Sequence, residues 1–315
     1  MPVDFGIIAP QGWRLDLVSI PDPVDAYEAM TRVVQEAERL GFVSAWLYDH
    51  FHTIPAPVQE ITFECWTSCA ALARDTQRIR IGQMVTCNSY RNPALLAKMA
   101  SSVDVLSHGR LILGIGAGWY KHEYLAYGYP YPSTHERLQR LHEAVQIILA
   151  MWTQEEPAFE GTYYSIQGAI NQPKGAQKPH IPLLIGGGGE KVTLRLVARY
   201  ADACNIGGDI STIKHKLDVL RQHCEEVGRD YNSIRRTTLI DYCAIANTEE
   251  EAIAKLTPQE RQNLDELLPE SLIGTPAQIR ERLRQYEEAG IQEIIVRFVD
   301  ALQLDSIRLF AEECM

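Results

Sequence analysis

An acid and an imidazole stand side by side, Asp49 and His50, at the end of an apolar run that opens at Gly41. An undisturbed imidazole titrates at about pH 6.5 and a neighbouring carboxylate tunes it, so this pair could move a proton near neutrality. The preceding Val43, Ala45, Trp46 and Leu47 form a run too short for a helix, which reads as a buried parallel strand. Active sites of α/β barrels and open α/β sheets form at the carboxyl ends of strands, and that rule puts Asp49 and His50 at the mouth of the fold. A plainer use stays open, with Asp49 capping a loop and His50 bonded within the rim.

Two glycine clusters could meet a ligand. Leu113-Gly-Ile-Gly-Ala-Gly-Trp119 has Gly-x-Gly-x-Gly spacing, not the Gly-x-Gly-x-x-Gly of dinucleotide folds, and no helix is expected directly after it. Its glycines suit a close approach of backbone to a planar ring, or simple relief of crowding at a strand end. Leu183-Leu-Ile-Gly-Gly-Gly-Gly-Glu190 runs from strand through turn to helix and leaves backbone N–H groups free for a phosphate. Without the Gly-Lys-Ser/Thr of a nucleoside-triphosphate loop, a phosphate held without hydrolysis is the fitting use, with a structural tight turn as the alternative.

The elements that must position these residues alternate. Strands are marked by Val3, Val43, Ile79, Leu111, Leu183, Cys204, Thr237 and Ile294, and helical stripes fall between them, such as Ala26 to Leu40, Gln59 to Arg74 and Leu95 to Leu106. Alternation without repeated hairpins requires parallel strands joined by crossovers, and eight of them favour a closed barrel over an open sheet. Trp119 to Ser133, rich in Tyr, Gly and Pro, reads as an excursion over the site. A second excursion carries a short hairpin around Phe159 to Tyr164, and Thr248 to Leu268 reads as a helical insertion after strand seven. The expected fold is a (β/α)8 TIM barrel with insertions after strands 4 and 7, as a single domain over residues 1–315.

Composition narrows the function classes. The hydrophobic share of 46% and charged share of 23% are those of a globular protein with a large core. The net charge of -11 argues against nucleic acid or an anionic membrane as main partner, though not against a local anion site. The seven cysteines are scattered, with none in a Cys-x-x-Cys pair, and read as reduced thiols of a cytoplasmic protein. Cys65 and Cys69 lie one helical turn apart but lack a neighbouring His pair, so packing is expected rather than a metal. No stretch approaches the roughly 18 apolar residues that span a bilayer.

With these positions fixed, the sequence resembles the bacterial-luciferase-like superfamily of flavin and deazaflavin enzymes over nearly its whole length. Gly41-Phe-Val-Ser-Ala-Trp-Leu-Tyr-Asp-His-Phe51 is similar to the Ser-Asp-His-Phe segment of members that use coenzyme F420. Gly82-Gln-Met-Val-Thr86 followed by Arg91-Asn-Pro-Ala94 resembles the family's bulged third strand, whose non-proline cis peptide would fall here between Met84 and Val85. Arg110 to Trp119, Glu136 to Thr153, Ile181 to Gly188 and Ala201-Asp202 are similar to its later strands and helices.

The resemblance implies a three-ring cofactor across the barrel mouth. Met84, Val85 and Thr86 would back the ring, Ala117, Gly118 and Trp119 would flank it, and Gly186, Gly187, Gly188 and Gly207 would hold the phosphate. His50 would meet the reacting end, oriented or charged by Asp49. The implied function is an oxidoreductase transferring a hydride between coenzyme F420 and a small organic substrate. An FMN-dependent monooxygenase using reduced flavin and oxygen is the alternative within the fold, and a non-catalytic flavin-binding protein is the alternative outside catalysis. A flavin or F420 reductase and a second copy of the chain are the protein partners compatible with this reading. Two departures stand out: Tyr48 replaces the family's Ser before Asp-His, and Trp119 stands where the sugar-phosphate dehydrogenase branch has a glutamate, which puts sugar-phosphate oxidation in doubt.

Overall fold

The computed structural model describes residues 3–315. Its main sheet closes on itself and every pairing in it is parallel. Eight strands form the ring: β1 (Asp4–Ile8), β2 (Ser44–Leu47), β3 (Arg80–Gln83), β4 (Leu111–Gly116), β5 (Leu183–Gly186), β6 (Ala203–Asn205), β7 (Arg235–Ile245) and β8 (Glu293–Phe298). Thr86–Cys87 continues the line of β3 beside β4, and Leu272–Gly274 adds to the edge of β7. β6 pairs with β7 and β8 with both β7 and β1, which closes the TIM barrel.

Side-chain alternation along the strands sorts the interior into layers. Ile8, Trp46, Met84, Ile112, Leu184, Ala203 and Ile295 point inward and form an apolar plug. Below it Trp46 Nε1 donates to Ser44 Oγ at 2.7 Å, and Glu293 accepts from Ser44 and, at 2.7 Å, from Arg235. The opposite strand faces pack against helices in a second, larger apolar cluster. Gly82 is glycine because the Trp46 ring lies where its Cβ would stand.

The helices follow from their ends as much as their stripes. α1 (Pro23–Leu40) starts behind Asp22, whose carboxylate accepts from Val24 and Asp25 N–H, and stops at Gly41 with φ 100°. It buries Ala26, Met30, Val33, Val34 and Ala37. α3 (Pro93–Leu106) opens behind Asn92 with proline in its first turn. α2 (Cys65–Asp75) starts six residues later than the stripe from Gln59 suggests, because Glu64 caps it and the stretch before it runs extended, with Phe63 N–H donating to Gln11.

The excursion after β4 holds a short helix, α4 (Lys121–Ala126), before α5 (Thr134–Thr153). The second excursion is the expected hairpin, Ala158–Glu160 with Ser165–Gln167. α6 (Thr193–Tyr200) and α7 (Ile210–Val227) follow β5 and β6. The insertion expected as one helix after β7 breaks into Glu249–Ala254, Pro258–Gln262 and Leu264–Leu267, because Pro258 starts a new helix behind a Thr257/Glu260 capping box. A terminal helix, Asp305–Cys314, packs Phe310 against Phe5, Phe42 and Phe298.

Candidate functional site

The carboxyl end of β2 carries Tyr48, Asp49 and His50 into the mouth, and their surroundings differ sharply. Gln11, just past β1, fixes the backbone of Tyr48 by accepting its N–H at 2.8 Å and donating to its carbonyl at 2.9 Å. Asp49 is buried, and its oxygens accept two bonds from Arg91, at 2.6 and 2.9 Å, and one from Cys87 N–H at 2.8 Å. The expectation that Asp49 orients His50 is corrected here. Its carboxylate faces away from the imidazole and braces the turn after β3.

The group beside the imidazole is Glu123 of α4. Its Oε2 lies 2.8 Å from His50 Nδ1 and accepts from the Tyr90 hydroxyl at 2.8 Å, while Oε1 accepts from Phe51 and His52 N–H at 2.6 and 2.8 Å. The side chain is wholly buried. Burial pushes its pKa up, but the bond and charge of His50 and the two N–H bonds outweigh this and hold it below the usual 4.5. A charged carboxylate at Nδ1 keeps a proton on that nitrogen, which leaves Nε2 as the atom that can exchange one with a ligand. Nε2 has no partner among the described residues. Trp13 fixes the ring plane, stacking on His50 with centroids 4.2 Å apart and planes 4° from parallel.

Around the rest of the mouth, β3 to β6 present backbone. The Met84-Val85 peptide bond is cis. Val85 fills the space in front of Gly116 and Gly186, where a Cβ would run into its side chain, while at Gly114 a Cβ would meet the Gln83 carbonyl. Gly116 and Gly186 therefore admit Val85 to the mouth floor, where Met84 tops the apolar plug. Gly118 has φ +78° and is covered by Tyr124 and Cys87, and Trp119 beyond it is 57% exposed with its ring 5.7 Å from His50. Thr86 does not join the ring-facing set by its side chain: it is buried, and its hydroxyl accepts from Trp66 Nε1 of α2 at 3.2 Å. Ala117 lines the same wall, its carbonyl accepting from the Tyr124 hydroxyl at 3.4 Å.

The two later glycine loops meet. Gly187 N–H donates to Asn205 O at 3.1 Å, which holds the loop after β5 against the loop after β6. Among the described residues the N–H groups of Gly188, Gly189, Gly207 and Gly208 have no acceptor, and a Cβ on Gly207 would meet nothing within 4 Å. Lys216 of α7 lies across Gly188, its Nζ donating to Gly207 O at 3.4 Å. Open N–H donors on two adjoining loops beside a lysine have the chemistry that suits a phosphate. The buried Trp13 Nε1, Asn88 Oδ1 and Ser89 Oγ at the carboxyl ends of β1 and β3 also have no protein partner. Donors and acceptors of this kind on both flanks fit a planar polar cofactor with a phosphate.

Five contributors were not found from the sequence. Glu123 sits 73 positions from His50 on a helix of six residues, a distance that carries no sequence signal. Lys216 belongs to a helix whose stripe predicts only packing. Trp13, past the end of β1, and Arg297, near the end of β8, obey the same strand-end rule that picked out His50, whereas Asp241 lies within β7 at a break in its register with β8. All seven cysteines are free, and among the described residues no three His, Cys, Asp or Glu side chains are grouped to hold a metal ion and no helix is long and apolar enough to cross a membrane.

Comparison with known proteins agrees with this architecture. The F420-dependent glucose-6-phosphate dehydrogenase of Kineococcus radiotolerans is 29% identical over 291 residues, covering 82% of this chain and 84% of its own. Among solved structures, an F420-dependent secondary alcohol dehydrogenase in complex with an F420-acetone adduct superposes with a TM-score of 0.82 at 22% identity, over 99% of this chain and 98% of its own. The EDTA monooxygenase of Chelativorans sp. BNC1 also reaches 0.82, at 16% identity over 100% and 92%. Residues 3–268 match the luciferase-like monooxygenase family, and the chain belongs to it.

Proposed function

We propose that the protein is an oxidoreductase that transfers a hydride between coenzyme F420 and a small organic substrate, and that residues 1–315 work as one domain. The observation that carries this reading is the His50–Glu123 pair at the mouth of a family barrel whose curated relatives include F420-dependent dehydrogenases. When bound, the deazaflavin ring supplies or accepts the hydride. Gly188, Gly189, Gly207 and Gly208 would hold its phosphate through backbone N–H groups, with Lys216 adding a positive charge. Val85 and Met84 would lie under the ring.

The protein's own chemistry lies at His50 Nε2. Glu123, bonded at Nδ1, fixes the tautomer, so Nε2 can take the proton of a substrate hydroxyl as it is oxidised, or return one to a carbonyl as it is reduced. Trp13 holds the ring plane for that transfer. Asp49 takes no part in it and sets the backbone after the cis bond through Cys87 N–H.

An FMN-dependent monooxygenase is the second reading, favoured by the family's description and by the barrel shared with the EDTA monooxygenase. Titrating the purified protein separately with F420 and FMN decides between them: tighter F420 binding with substrate-dependent bleaching of the oxidised deazaflavin is expected. Tight FMN binding with oxygen consumption and no F420 binding would overturn the first reading. We also propose a reductase as the source of reduced cofactor, a homodimer, supported by exposed Leu95 and Leu106 on α3, and a reducing cytoplasm, supported by seven free thiols.

A further inference from the structure

Arg297 lies on the inner face of β8, two residues nearer the mouth than Ile295 of the apolar plug. Its side chain is only 8% exposed. A guanidinium carries five N–H donors, yet only Nε is used, donating to the Asp241 carbonyl at 2.6 Å. The four N–H bonds of the terminal nitrogens have no acceptor among the described residues. The other buried arginines differ: Arg137 donates to the Gly118 and Pro132 carbonyls and Thr134 Oγ1, and Arg236 to the Gly290, Tyr231 and Ile234 carbonyls.

The terminal N–H groups of Arg297 thus stay open, with the Asp241 carboxylate 3.7 Å from the guanidinium as their nearest acid. The acids facing it are engaged elsewhere. The Asp241 carboxylate is held by Arg14 and accepts from the Tyr48 hydroxyl at 2.8 Å, and its nearest oxygen is 3.7 Å from Arg297. Asp16 accepts from Gly12 N–H at 2.6 Å, and burial raises its carboxyl above the ordinary pKa. The Tyr242 ring lies 5.1 Å from the Arg297 guanidinium, and Arg14 itself leaves Nε buried without an acceptor. A continuous run of contacts joins this cluster to the proton-exchanging imidazole: His50 on Trp13, Trp13 under the Arg14 guanidinium at 4.9 Å, and Arg14 on Asp241.

We propose that Arg297, flanked by Arg14, is the receptor for an anionic oxygen group of the substrate, a carboxylate or a phosphate, on the stretch of the mouth between β7 and β1. A planar fork with free terminal N–H groups suits two-point binding of such an anion. The inference rests on the oxidoreductase reading and narrows its substrates to small organic acids or phosphate esters.

Calorimetric titration tests it with succinate, methylphosphonate and the neutral succinamide, each with and without saturating cofactor so that the glycine loops are either filled or open. At least one anion should bind wild type, and Arg297→Met should weaken it by about tenfold or more, the scale of a lost charged hydrogen-bond pair. Arg297→Lys should retain part of the affinity and succinamide should not bind. Whichever anion binds in the presence of cofactor identifies the group. Equal anion binding by wild type and Arg297→Met, or none by wild type, would overturn the proposal. Cofactor titration of the same proteins separates the two claims: Arg297→Met should bind cofactor within about twofold of wild type, whereas failure of wild type to bind F420 or FMN would sink the oxidoreductase reading without touching the anion result.

Discussion

The two halves of the barrel mouth are built from different materials. From β3 to β6 the rim is largely backbone, with Gly116, Gly186 and Gly207 at or just past strand ends, Val85 pushed in against Gly116 and Gly186, and Lys216 laid across Gly188. From β7 through β8 to β1 and β2 the rim is side chain: Asp241, Arg297, Trp13, Arg14, Tyr48 and His50, tied together by ring stacking and ion pairs. A backbone rim offers flat, close approach and N–H donors that do not titrate. A side-chain rim offers charge, proton exchange and selectivity. Under the proposed function the first half would serve cofactor retention and the second chemistry, so variants should separate into two phenotypes.

The largest separation is expected at Glu123. Glu123→Gln keeps the shape but removes the charge that holds His50, so turnover should fall about a hundredfold or more while cofactor binding stays near wild type. Stability gives an independent check. The Glu123 pKa is lower folded than unfolded, so its stabilisation is present above about pH 4.5 and is lost as the pH falls through the depressed folded value. The gap in urea midpoint between wild type and Glu123→Gln should therefore narrow as the pH drops below that point, and a gap independent of pH would contradict an ionised Glu123.

On the glycine side, Gly207→Val should raise the cofactor dissociation constant by about tenfold or more. Its Cβ would enter open space at the phosphate loop, so the thermal midpoint should hardly move. Gly187, with φ +114°, would add backbone strain and blur the readout. Lys216→Met should weaken binding by a smaller factor that shrinks with added salt. The smallest effect is expected from Tyr48→Phe, which removes one hydrogen bond to Asp241 worth about 1 kcal/mol. It should shift a denaturation midpoint slightly and leave cofactor affinity alone. A large loss of cofactor affinity in Tyr48→Phe would break the division between the halves.

The same contrast explains what was legible in the sequence. The eight strands, the crossovers and both glycine clusters are local patterns, set by apolar runs and by glycine at turns, and the structure has them where the patterns lie. His50 was legible because it follows a strand. Asp49 was misread because adjacency in sequence was taken for adjacency in space: past a strand end consecutive side chains diverge, and Asp49 turned toward Arg91 while the imidazole turned toward Glu123. Glu123, Lys216 and the Arg297 cluster depend on contacts between distant segments, which no local pattern encodes. The broken insertion after β7 carried a local signal, Thr-Pro at 257–258, that the helical reading passed over.

The central claim is that His50 works on the chemical step and the glycine loops on retention. Stopped-flow hydride transfer with His50→Ala at saturating F420, beside a cofactor titration of the same protein, tests this most directly. The account predicts a rate constant lower by about a hundredfold or more with a dissociation constant within about tenfold of wild type. A His50→Ala protein that transfers hydride at the wild-type rate once saturated, but binds the cofactor far more weakly, would contradict it and move His50 from proton transfer to anchoring.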